Sequence, residues 1–284
     1  MFKHFILTRF NIKYDGIASY DKNKMPVQTE EWLERRFLLF EKYCLPSIIK
    51  QSCKNFIWFV LFSSDTPEQF VKKIKDYEMQ FPLFRPLFLE TGSHDCIKKT
   101  INNVLTSYIN TEDQYVITSR IDNDDAFHSD MILEVQRLFN WQDNIFVSFT
   151  YGRQYDIERN VLARMYCRKN HFVSRIEKIS NEVDTVITHD HTLIDEVGEV
   201  IYINNKKKPM WLEIVHDGNL ENRLYPDSIP LFRGKILESF QLMEKISRVN
   251  TLALVFNYLK LKALLLRRDL LRKLGIYDFM KEKI

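Results

Sequence analysis

Apolar runs and amphipathic stretches alternate along the first 141 residues. "HFILTRFNI" (4–12) is rich in β-branched and aromatic residues and predicts a strand. "TEEWLERRFLLFEKYCLPSII" follows, with Thr29 placed as an N-cap and acids in the first turn. Trp32, Leu33, Phe37, Phe40 and Cys44 recur at helical spacing, so this is an amphipathic helix that meets Pro46. "NFIWFVLFSSD" (55–65) is a near-continuous apolar run, as in a strand covered on both faces. A helix over 67–81, a strand over 83–90, a helix over 94–109, a strand over 114–122 and a helix over 130–141 complete the alternation.

That βαβαβαβα order predicts an α/β fold whose parallel sheet carries helices on both faces. "NIFVSFTYGRQYD" and "VLARMYCR" add two strand-like runs. Regularity fades from about 168 to 225, and the chain reads as helical from 235 onward. Two units follow: residues 1–234, and a basic helical extension over 235–284.

Composition narrows the class. The 284 residues are 45% hydrophobic, enough for a large core, and the seven Gly and eight Pro exclude repetitive or low-complexity chains. A net charge of +3 gives no reason to expect a nucleic-acid partner. Residues 235–284, however, hold eleven Lys/Arg against five Asp/Glu. Four scattered cysteines without a CxxC pair, and no signal-peptide pattern at the start, lead to the expectation of reduced thiols in the cytoplasm. No run of 18 apolar residues predicts a membrane span.

The candidate chemistry lies at the strand ends, where open α/β sheets bind ligands. "SRIDNDDAF" (119–127) places Asp122, Asn123, Asp124 and Asp125 side by side after the fourth strand. Carboxylates this close repel one another, and a hard divalent cation relieves that repulsion. An EF-hand does not fit, because Phe127 stands where such a loop needs Gly. Asp65 holds the equivalent position after the second strand, and Arg9 with Asn11 after the first. A solvated turn before a helix is the plain alternative.

"LTRFN" (7–11), "WLERRFLLFEKYCLPSI" (32–48), "FIWFVLFSSDTP" (56–67), "ITSRIDNDDAFHSDMI" (117–132) and "WLEIVHDGNLENR" (211–223) together resemble the bacterial rhamnosyltransferase family, related to the family 2 glycosyltransferases. The resemblance implies a GT-A, nucleotide-diphospho-sugar transferase fold with a mostly parallel central sheet. It also implies a nucleotide-sugar donor and a DxD element at Asp122–Asp124, with Asp122 near the ribose, Asp124 on the metal and Asp125 close by. On the same footing, Asp65 reads the nucleotide and Thr8 and Arg9 line its pocket. Arg120 has two readings, an acid partner or a phosphate partner.

His216 ends "WLEIVH", and a late histidine in such enzymes completes the metal or diphosphate site; imidazole beside carboxylates suits Mn²⁺ at least as well as Mg²⁺. An inverting transferase needs a carboxylate base for the acceptor hydroxyl. Asp190, in "THDHT", and Glu213, in "WLE", are the candidates, with Glu177 a third. Asp190 is preferred for its polar neighbours, whereas strand alternation points Glu213 away from the face of Leu212 and Ile214.

The expected activity is therefore sugar transfer to a glycan or lipid-linked acceptor of a bacterial surface polysaccharide, such as capsule or O-antigen. A metal-dependent nucleotidyltransferase is the rival, but no Gly-rich basic loop follows the first strand. A noncatalytic glycan-binding protein is another. Residues 245–275 carry eight Lys/Arg and one Asp, with Leu252, Phe256, Leu259, Ala263, Leu266 and Leu270 on one helical stripe. Lipid contact at the inner face of the membrane, packing on the body and a dimer contact are the three uses of such a helix.

Overall fold

A computed structural model describes residues 1–13, 20, 21, 23–180, 183–219, 224, 229–232, 234–246, 249, 250 and nine helical positions between 252 and 270. Its elements begin with β1 (Phe2–Arg9), α1 (Glu30–Leu39), a π-helical turn (Phe40–Cys44) and α2 (Leu45–Ile49). They continue with β2 (Ile57–Ser63), α3 (Glu68–Gln80), β3 (Phe84–Leu89), α4 (His94–Ser107), β4 (Tyr115–Arg120), β5 (Ala126–Phe127) and α5 (Met131–Arg137). The second half holds β6 (Ile145–Phe149), β7 (Tyr151–Asp156), β8 (Val161–Tyr166), β9 (Val173–Lys178), α6 (Ile194–Val197), β10 (Glu199–Ile203), β11 (Trp211–Val215) and β12 (Ile229–Leu231).

Two sheets result. The larger has the order β10-β6-β9-β4-β1-β2-β3, and the smaller β12-β8-β7-β11-β5. β3, β2, β1 and β4 are mutually parallel, while β9 enters antiparallel between β4 and β6. Strands such as β2 and β4 are buried along nearly their whole length, because helices cover both faces. Phe37, Phe40, Trp58, Phe62 and Phe84 form the aromatic heart of one face; Phe5, Phe59, Ile97, Ile101 and Leu105 fill the other.

Thr29 caps α1 as the sequence predicts, its Oγ1 accepting from the Trp32 N–H at 3.2 Å. Pro46 does not end the helix. The chain widens into a π turn, in which the Leu45 N–H donates to the Phe40 carbonyl. Pro46 has no N–H for the Lys42 carbonyl, which instead accepts the Met243 N–H at 3.1 Å.

Three expectations are corrected. "NIFVSFTYGRQYD" is two strands, split at Thr150 between the two sheets. The stretch from 168 to 225 holds β9, β10 and β11; in β9 Arg175 is buried in an ion pair with Asp184 and Glu177 accepts the Asp184 N–H, instead of both facing water. From 241 to 250 the described residues are not helical; Leu242, Ile246 and Val249 there pack irregularly onto the core of the smaller sheet.

Candidate active site

β1 and β4 lie side by side at the centre of the sheet, with Leu7 opposite Arg120. Their carboxyl ends deliver Arg9 and Arg120 to one edge, and the chain turns there into Asp122–Asp125. The Asn123 amide fixes that turn by donating to the carbonyls of Arg9 (3.3 Å) and Phe10 (3.0 Å).

The three carboxylates occupy different environments. Asp122 is partly exposed and sits between two guanidinium groups, Arg120 at 3.4 Å and Arg9 at 3.9 Å. Burial pushes its carboxyl up, but Arg120, His171, Arg9 and Arg36 together hold it well below the usual carboxylate range. Asp124 is buried and saturated by donors: Arg36 at 2.5 Å, His216 Nε2 at 2.9 Å and the Asn219 amide at 3.1 Å. Burial opposes its charge, and Arg36 then His216 win, lowering it to about 2. Asp125 is fully buried; its Oδ1 accepts the Ile214 N–H at 2.8 Å and its Oδ2 meets His171 Nε2 at 2.8 Å. Burial, compounded by Asp124 and Asp122, raises its carboxyl well above the ordinary value.

Asp122, Asp125 and His171 present ligand atoms within 4.8 Å of one another. Two carboxylate oxygens and an imidazole are a donor set that a divalent cation can take. His171 is held in place by its neighbours. The Asn170 side chain spans the carbonyls of Phe149 and Cys167 and the Phe172 N–H. Phe172 stacks on Trp211 at 4.9 Å and 11°. Gly152 lets that indole lie flat, since a Cβ there would meet the ring at 2.1 Å.

Glu213 projects from β11 away from Leu212 and Ile214, as alternation requires, and is buried. Its Oε2 accepts the Gln154 amide at 2.6 Å. Burial lifts its carboxyl to about 7, with His171 opposing and Asp125 adding to the shift. Asp190 lies at the rim, with 58% of its side chain exposed, accepting the Thr192 N–H and hydroxyl as a turn residue. Its neighbour His191 approaches the His171 ring at 6.0 Å.

Other residues fall outside this cluster. Thr8 is fully buried and accepts the Trp58 indole N–H at 3.0 Å, so it faces the interior of the sheet and not a pocket. Asp65 is an exposed partner of Lys13 at 2.9 Å. Asn11 ties β1 to the end of β2 through Ser63 and Thr66. Glu177 pairs across from Val116, towards the far end of β4. His216 and Asp124 have each other and Arg36 as partners, where the sequence suggested a metal.

His171 and Arg36 are the residues the sequence reading missed. His171 has no sequence spacing to the acids. Arg36 left a trace: it stands three residues after Leu33 and four before Phe40, on the buried stripe of α1.

Strand-end carboxylates and guanidinium groups gather where an open α/β sheet binds its ligands, and the family to which the chain belongs is one of glycosyltransferases. The chain belongs to the family described as "Putative rhamnosyl transferase", which matches residues 3–227. No curated protein matches it. Among solved structures, TarS of S. aureus in complex with UDP-GlcNAc gives a TM-score of 0.41 at 12% identity, covering 79% of this chain and 62% of that one. TarS with UDP gives 0.40 at 11%, over 75% and 60%. A longer TarS structure gives 0.40 at 11%, and there the chain covers 37% of the neighbour's length. At those TM-scores the likeness carries no argument about activity.

Proposed function

We propose that the protein transfers a sugar from a nucleotide-sugar donor to a hydroxyl of a glycan or lipid-linked acceptor, with inversion, in making a bacterial surface polysaccharide. The observation that carries this reading is the meeting of Asp122, Asp125 and His171 with buried Glu213 beside two arginines. A shallow open cleft lined by Arg9, Ile12, His94, Lys98, Ile187 and Thr188 lies beside the cluster and offers the donor's nucleoside apolar walls with cations at the edge. Arg9 and Arg120 face the leaving diphosphate.

Asp122, Asp125 and His171 would hold a divalent cation, Mn²⁺ or Mg²⁺, which would supply charge neutralisation for that diphosphate. In this assignment Asp124 positions the cluster through Arg36 and His216. Glu213 takes the acceptor's hydroxyl proton as the oxygen attacks the anomeric carbon and the sugar–phosphate bond breaks. A carboxyl near 7 is suited to that work near neutral pH, whereas exposed Asp190 remains the alternative base at the rim.

A thermal-shift series of nucleoside diphosphates and their sugars, with and without Mn²⁺, tests the site. One nucleotide raises Tm strongly only with metal, and Asp125→Ala and His171→Ala remove that gain. Asp124→Ala lowers Tm with or without ligand. Equal stabilisation without metal, unchanged in Asp125→Ala, refutes the assignment. Hydrolysis of the sugar nucleotide separates an enzyme from a binding protein.

A further inference from the structure

The C-terminal stretch changes character at one point. Up to Asn250 it belongs to the body. Leu237 and Phe240 are buried, and Leu242, Ile246 and Val249 pack with Tyr43, Leu162 and Ile214. The Asn250 N–H donates to the Asn160 carbonyl at 2.7 Å, fixing the chain to the turn between β7 and β8. From 252 onward the described positions are helical, and their apolar side chains lose cover. Leu252, Phe256, Leu259, Leu266 and Leu270 are 58–74% exposed. With Ala263 they recur at alternating intervals of four and three, which is one face of a helix. An apolar face of this length does not stay in water unaccompanied.

Charge selects among its occupants. Residues 245–275 hold eight Lys/Arg and one Asp. In the heptad register of the stripe, Lys260, Lys262 and Arg267 take the flanking positions, so pairing with a second copy in parallel sets Lys262 against Arg267. An anionic lipid surface reverses that effect: the basic side chains reach headgroup phosphates while Leu and Phe enter the acyl boundary. Crossing the bilayer is a different geometry, and no helix among the described residues is long and apolar enough for it.

We propose that the helical positions described between 252 and 270 lie in the plane of an anionic bilayer, Leu/Phe stripe inward, and that the bond between Asn250 and Asn160 fixes where the body hangs from it. This contact stands on the tail alone, independently of the transferase reading.

The test is co-sedimentation of the full chain with phosphatidylcholine vesicles, with and without phosphatidylglycerol. The protein pellets with the anionic vesicles only. Leu259→Asp with Leu266→Asp lowers the bound fraction at least about tenfold without moving Tm, because both sites are exposed. Lys260→Glu with Lys262→Glu and Arg267→Glu weakens binding to anionic vesicles. Failure to pellet with either vesicle, or equal pelleting of the leucine variant, overturns the proposal. So does a wild-type dimer by light scattering that Leu259→Asp dissolves, which gives the stripe to a second copy.

Discussion

Two polar clusters flank β9, and both are made of aspartate, histidine and arginine. Around Asp184 the carboxylate receives Arg175 at 2.7 Å, His189 at 2.6 Å, Lys98 at 3.0 Å and the Thr188 hydroxyl at 2.7 Å, while Glu177 accepts the Asp184 N–H at 2.9 Å. Burial pushes that carboxyl up, and those donors together hold it far below the usual range. At the strand-end cluster the donors are divided: Asp122, Asp124, Asp125 and Glu213 share three arginines and two histidines, and two of the four carboxyls are pushed up instead of down. The difference separates a fastening from a site. A carboxylate with surplus donors has nothing left to bind, whereas carboxylates short of positive charge leave room for a cation and a proton.

The comparison breaks most sharply at Glu213. Glu213→Gln, isosteric and still able to meet Gln154, lowers kcat at least about 100-fold while leaving nucleotide-dependent Tm shifts in place. Asp190→Asn, at the exposed rim, changes kcat by less than about threefold if Glu213 is the base; the opposite pattern moves the role to Asp190.

Next in size is Asp184→Asn. Removing the charge from the surplus-donor cluster costs about 2 kcal/mol, moderated by solvent at a side chain 34% exposed, and lowers Tm by about 4–8 °C. Transfer activity of the folded protein persists, which distinguishes this position from Asp125.

The pH dependence sharpens the contrast further. Glu213 moves from an ordinary 4.5 to about 7 in the fold, so its proton is bound more tightly when folded. The resulting stabilisation is complete below the unfolded value and is lost as pH rises through about 7. Catalysis runs the other way, since a base must be unprotonated, and kcat rises over the same interval. Glu213→Gln removes the kcat limb and flattens part of the Tm slope; Glu177, also near 7, retains the rest. The smallest effect belongs to Asp65→Ala, whose exposed pair with Lys13 changes stability by less than about 0.5 kcal/mol.

The parallel half of the fold was legible because its strands are apolar on both faces and its helices carry regular stripes. β9 was not, since "VSRIEK" looks solvated until Arg175 meets Asp184 across the turn. At the site, the clustered aspartates announced themselves, and the family motifs gave them a use. The division of labour among them did not show, because it depends on Arg36 and His171, which reach the aspartates from 88 and 46 residues away. Glu213 was correctly oriented by alternation, but its burial beside Asp125 is a property of packing that no spacing records.

The carbonyl left over at Lys42 by Pro46 ties the order of synthesis to the order of folding. Its partner, the Met243 N–H, emerges from the ribosome 201 residues later. Until then water serves that acceptor, and a chain truncated before residue 243 leaves it to water for good, without the strap that ties the π turn to the C-terminal stretch.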